Sequence, residues 1–296
     1  MGEKDISQKI LEGKNDVFAD IVNGCCFKGK QIVKPDELQD LSGITAYEDK
    51  QKYRSTQRDI TKLWKKGIIN IACLGVENQT YKDNTMPLRV IAYDGAQYKI
   101  QANDKQINYY PVVTLVLYYG KDKWEKPRRL FDLFDVPPEL KPYVNDYKMN
   151  LFDISHISSE EAKVFKSDFW HVADYFLQIN ETNDYIPNKT RLAHPEEMFK
   201  LMKFLTGNEK FDNIISAEKG GPATMFDAFE AAEKRGEARG EARGKAYGEA
   251  IGEARGKETI LKLMKQLYAL GRDDDAKRAI TDEQYLAKLM KEFAIQ

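Results

Sequence analysis

The run Val112-Val-Thr-Leu-Val-Leu-Tyr-Tyr119 contains a single Thr among apolar and aromatic side chains. Successive side chains of a strand point to opposite faces, so a run without alternation has to be covered on both. It therefore predicts a central strand with packing layers above and below, which is an α/β architecture. Helical periodicity around Ser159–Gln178 and over Pro195–Leu205 (Met198, Leu201, Met202, Leu205) supplies candidate layers. Leu88–Asp94 reads as a further strand, Tyr98–Ala102 as helix or strand, and Tyr81–Pro87 as turn. Upstream, Ile6–Asn23 reads as a helix that Gly13 interrupts, with Asp16 and Asp20 on one solvated face. Pro35–Leu41 reads as a short helix and Ser42–Tyr53 as a polar connection.

Residues 54–79 carry the strongest chemical signal. Asp59 opens a strand-like stretch ending near Trp64, Lys65-Lys66-Gly67 makes a turn, and Ile68 to Val76 returns to Glu77 and Gln79. Glu77 and Gln79 are two apart and share a strand face. An acid on one strand and Glu-x-Gln on its neighbour offer oxygen ligands to a hard divalent cation, the donor set of a candidate phosphodiester-cutting site.

The formal net charge is −1, so no global field draws a polyanion to this chain. DNA contact then requires a local patch, and the basic residues near Asp59 provide the candidates: Arg54, Arg58, Lys62, Lys65, Lys66 and Lys82. A solvated lysine-rich strand and turn is the plainer alternative. Three cysteines, two of them adjacent, form neither a disulfide framework nor a zinc pair. With no apolar leader and no membrane-length apolar stretch, the expectation is a cytoplasmic protein. His156, His171 and His194 lack metal-ligand spacing, and Gly-Glu-Ala-Arg-Gly-Lys falls one residue short of a phosphate loop.

From Gly236 the chain places glycine at every fourth position to Gly256. Each glycine costs a helix about 1 kcal/mol against alanine. The run is either a helix whose small residues line a packed seam or a charged tether. Two amphipathic helices follow, one ending at Gly271 and one opened by Thr281-Asp-Glu, which together are too small to form a core alone.

Arg54-x-x-x-x-Asp59, Glu77-Asn-Gln79, Pro87-Leu-Arg89 with Tyr93, and Pro111 to Gly120 together resemble the Rpn family, the recombination-promoting nucleases of the PD-(D/E)xK fold. The resemblance spans residues 6–205, and the glycine-repeat tail is similar to the family's C-terminal extension. It implies a restriction-endonuclease-like central mixed sheet flanked by helices, with a helical C-terminal extension. The implied organisation is a nuclease core over 1–205, a linker and repeat over 206–257, and oligomerising helices over 258–296. The implied activity is a Mg²⁺-dependent DNA endonuclease, with Mn²⁺ able to substitute. By the same resemblance Asp59 and Glu77 are the metal-binding acids, with the main-chain carbonyl of Asn78 as a third ligand. Asp16, in Asp16-Val-Phe18, is the auxiliary helical acid, although Ala19 stands where the family places lysine. Gln79 also replaces a common lysine; it can orient a water but carries no charge. Either the site works with weaker charge stabilisation, or Lys62 or Lys82 reaches in. The implied partners are DNA and further copies of the chain. The alternatives are a catalytically degenerate oligomeric DNA- or protein-binding module with a nuclease-like fold, and a strand-transfer transposase.

Overall fold

The computed structural model describes residues 11–41, 44–49, 52–57, 59–103, 108–207, 211 and 224–293. The chain forms two compact units, Met1–Ala232 and Glu233–Gln296.

The first unit is built on a five-stranded sheet. Its strands are β1 (Leu38–Asp40), β4 (Ile60–Lys66), β5 (Ile69–Gln79), β6 (Val112–Tyr118) and β7 (Asn150–Asp153), in that spatial order. β1, β4 and β5 run antiparallel, whereas β5, β6 and β7 are parallel, so the sheet is mixed. β2 (Ile44–Asp49) and β3 (Lys52–Gln57) form a separate antiparallel pair. The helices of this unit are α1 (Asn15–Phe27), α2 (Met86–Asn103), α3 (Ser159–Ala162), α4 (Phe169–Thr182) and α5 (Pro195–Thr206). No helix among the described residues is long and apolar enough to cross a membrane.

β6 is covered on both sides. Leu115 and Leu117 join Phe18, Ile21, Phe169, Val172 and Met198 in the larger core cluster. Val116 and Tyr118 join Met86, Val90, Trp124 and Met149 in a second cluster. Successive residues thus enter opposite layers, as an apolar run without alternation requires. β5, α2 and β6 form a βαβ unit, with α2 supplying the crossover that two parallel strands need.

Three local readings are corrected. Leu88–Asp94 is helix, not strand: Met86, Val90, Tyr93, Asp94 and Gln101 are buried at helical spacing. Pro87 sits in the first turn, where its missing N–H costs nothing. Pro35–Leu41 is a single 3₁₀ turn, Pro35–Glu37, that leads into β1. Ser42–Tyr53 is largely the β2–β3 pair rather than a connection; Ser42, Gly43, Lys50 and Gln51 lie outside the described residues. At the N-terminus, Ile6 and Ile10 also lie outside them.

In the tail, α6 (Met225–Ala269) runs unbroken through the glycine repeat, so the helical reading of the repeat holds. A Cβ at any of Gly236, Gly240, Gly244, Gly248, Gly252 or Gly256 would meet nothing within 4 Å, so the described residues supply no packed seam. Gly271 stops the chain with φ +69° before α7 (Asp273–Thr281), a helix the periodicity did not reveal. Asp282 caps α8 (Glu283–Glu292) by accepting the N–H of Tyr285. With three helices, Leu263, Leu267, Ala276, Ala279 and Leu289 form a small core of their own. This corrects the expectation that these helices could not.

Candidate active site

The site lies where β5 ends. In the β4–β5 hairpin Ile60 pairs with Val76, which puts Asp59 beside the start of Glu77-Asn78-Gln79. The backbone N–H of Asn78 donates to Asp59 Oδ2 at 2.7 Å. The antiparallel register of one hairpin brings the two acids together.

Alternation splits the three β5 residues between the faces of the sheet. Glu77 and Gln79 meet α2. Glu77 is only 3% exposed; its Oε1 accepts from the Arg89 guanidinium and from Tyr93 Oη at 3.3 Å. Its Oε2 is buried with no hydrogen-bond partner among the described residues. Burial, and the charge of Asp59 beside it, push the Glu77 carboxyl up to about 7 against the pull of Arg89. Arg89 also reaches Asp83 Oδ2 at 3.1 Å and the Tyr93 hydroxyl at 3.2 Å. Gln79 Nε2 turns away from the acids to Met86 Sδ at 3.3 Å. Gln79 therefore faces an apolar cluster, and the cation touching Glu77 comes from α2.

Asn78 points to the other face, where it finds an acid the sequence did not single out. Its Nδ2 donates to Glu12 Oε2 at 2.5 Å, and Tyr119 Oη donates to Glu12 Oε1 at 3.2 Å. Glu12 is fully buried, and that burial pushes its carboxyl up to about 8, with Asp59 adding to the rise. Glu12 lies in a turn with no periodicity, 66 residues from Asn78, so no spacing could have flagged the pair.

The other expected site residues lie elsewhere or have other partners. The Asp16 carboxylate engages His194 Nε2 at 2.9 Å and lines a cavity of about 420 Å³ with Lys166, Trp170 and Arg191. Asp20 is not a solvated neighbour of Asp16; it is buried and accepts from the Lys166 and Ser167 backbone N–H groups, each at 2.8 Å. Lys62 is fully buried, donating to Gly13 O and Asn15 Oδ1 at 2.7 Å each and to Asp40. This corrects its placement on a DNA-facing surface: an ammonium so enclosed meets no phosphate, and none of its partners is a site carboxylate. Lys65 and Lys66 end β4, six residues past Ile60 and so about 20 Å from the acids along the strand. Arg54 lies in β3 opposite Tyr47, Arg58 lies outside the described residues, and Lys82 pairs with Glu125 at 3.3 Å.

Among the described residues no group of three or more His, Cys, Asp or Glu is arranged to hold a metal ion. Two carboxylates are nevertheless close enough to raise a proton affinity, and Glu77 Oε2 is an oxygen with no hydrogen-bond partner among the described residues. That donor chemistry fits a hard cation.

Residues 38–191 match the sequence model of a family described as "Putative transposase, YhgA-like". The chain belongs to this family. The family is of the Rpn, PD-(D/E)xK type, as the motif series implied. Asp59, Glu77, Gln79, Arg89 and Tyr93 fall within the matched residues, whereas Glu12 and Asp16 precede them. Neither a curated protein nor a solved structure matches the chain.

Proposed function

We propose that the chain is a metal-dependent DNA endonuclease that hydrolyses phosphodiester bonds in recombination or at mobile elements. The observation that carries this reading is Glu77, a carboxylate buried beside Asp59 whose Oε2 has no hydrogen-bond partner among the described residues. Such an atom is costly to bury unless something binds it. Asp59, Glu77 and the Asn78 main-chain carbonyl would hold Mg²⁺, or Mn²⁺ in its place. When bound, the ion neutralises charge building on the phosphate and makes a coordinated water more acidic.

The protein's own groups do the rest. The Asn78 N–H fixes Asp59 Oδ2, which orients that carboxylate against the strand. Arg89 holds Glu77 Oε1 and leaves Oε2 as the ligand atom. Its permanent charge stands in for the lysine that Gln79 replaces, while Glu12 anchors the Asn78 side chain from the opposite face. The exposed glycine stripe of α6 is the proposed assembly element, and a monomer mass independent of concentration in sedimentation would remove that part.

The test is supercoiled plasmid with Mg²⁺, alongside Asp59→Ala, Glu77→Gln and an EDTA control. Nicking that needs the metal and both acids is expected; cutting that survives Asp59→Ala would place the chemistry elsewhere. The second reading, a degenerate DNA- or protein-binding module, is favoured by the Arg89–Glu77 pair and the Gln79–Met86 contact, which occupy groups a nuclease would use. Absence of cutting with either ion would select it.

A further inference from the structure

We propose that the loop following β6, residues 120–129, together with Lys148, is the surface that grips the DNA backbone. The inference takes its polyanionic partner from the nuclease reading and places it where the sequence alone did not.

Position comes first. β5 and β6 are parallel, with Gln79 opposite Tyr118, and the Tyr119 N–H donates to Gln79 O at 2.7 Å. The loop therefore leaves the sheet at the end that carries Glu77. Lys82 donates to Glu125 at 3.3 Å, tying it to the connection that bears Asp83, a partner of Arg89. The hairpin lysines Lys65 and Lys66 occupy the opposite end of β4.

Charge comes second. Residues 120–129 hold five cations against Asp122 and Glu125. Arg129 is paired with Asp146, and Glu125 with Lys82. Lys121, Lys123, Lys126, Arg128 and Lys148 have no ion-pair partner among the described residues, and all but half-buried Lys126 are exposed. Several of these groups line an open groove of about 700 Å³ with Trp124 and Asp132. Unpaired cations spread along an extended loop suit a polymer of phosphates better than one small anion.

Rigidity comes third. Trp124 is buried, packs edge-on against Tyr118 at 5.0 Å and donates from Nε1 to Lys126 O at 2.9 Å. Tyr118 Oη donates to Asp122 O at 2.8 Å. Arg129 bridges Lys148, and the Met149 N–H donates to Arg128 O at 3.0 Å. The cations are thus presented by a braced segment, which lowers the ordering cost of gripping a backbone.

Fluorescence anisotropy of a labelled duplex, titrated with salt in Ca²⁺ so that binding is read without cutting, tests this on the full chain. The variant is Lys121→Gln, Lys123→Gln, Arg128→Gln and Lys148→Gln combined; all four side chains are exposed, and a melting curve checks the fold. Removing one cation from a phosphate should flatten the dependence of log K on log salt by about 0.9, so for four cations a drop of about 3.6 and at least a tenfold weakening at low salt are expected. An unchanged slope overturns the proposal. So does a weakening carried instead by Lys65→Gln/Lys66→Gln, or one confined to anionic lipid vesicles. A wild type that binds DNA through the loop yet never cuts would sink the nuclease reading and leave this surface standing. One that cuts with an unchanged slope in the variant does the reverse.

Discussion

Lys62→Met separates a structural lysine from a DNA-binding one. Methionine keeps most of the buried stem volume, so the cavity term stays small. The substitution removes an ammonium that holds Gly13 O, Asn15 Oδ1 and Asp40. Hydrogen bonds to a charged donor are worth about 1.5–3 kcal/mol each before the ammonium's own desolvation is counted. The Asp40 side chain is 82% exposed and returns to water cheaply, so its bond contributes least. Gly13 O and Asn15 Oδ1 are left without this donor in a part-buried setting. The net expectation is about 3 kcal/mol of destabilisation. Trp64, Trp124 and Trp170 all lie in the Met1–Ala232 unit, so tryptophan fluorescence follows that unit alone. For a unit of this size about 3 kcal/mol lowers Tm by about 6–12 °C. Because Gly13 adjoins Glu12, loosening this clamp should also weaken the Glu12–Asn78 hydrogen bond. A surface lysine would change stability by less than about 0.5 kcal/mol. A Lys62→Met protein that melts like wild type but binds DNA more weakly would refute the structural assignment.

Other expectations follow from the same geometry. Folding raises the Glu12 carboxyl to about 8 from 4.5, so between those values the folded state binds more protons and stability falls as pH rises. Glu12→Gln should flatten that fall and leave the protein more stable than wild type near pH 8; an unchanged profile in denaturant melts counts against a buried, protonated Glu12. A Cβ on Gly120 would lie 2.0 Å from Tyr118 Oη, a ring held by Trp124 and Asp122, so Gly120→Ala should cost about 1–3 kcal/mol in the same fluorescence melt. Gly240→Ala and Gly248→Ala meet open space and should each stabilise α6 by about 1 kcal/mol in circular-dichroism melts. A drop in stability or in self-association on sedimentation would instead show that the stripe packs against a second copy.

The sheet was legible where burial leaves a strong pattern. The run over Val112–Tyr118 and the return strand to Glu77 announce strands buried on both faces, and Gly67 at φ +60° marks the hairpin turn before that return strand. Leu88–Asp94 misled because seven residues with four apolar side chains fit either period; the arbiter was Pro87, which suits a helix start. That Asp59 lies beside Glu77 and Asn78 was legible because hairpin register ties them locally. The place of Glu12 was not, since its partners Asn78 and Tyr119 are 66 and 107 residues away. Basic residues misled for a related reason: composition counts Lys62 as surface charge, and only the fold shows it enclosed while Arg128 and Lys148 stand exposed.

The most direct test of the central claim is isothermal titration of Mn²⁺ into wild type, Asp59→Asn and Glu77→Gln. The expected result is a saturable site in the wild type that both substitutions abolish, with all three proteins melting cooperatively. No binding by the wild type, or binding that survives removal of either acid, would contradict it.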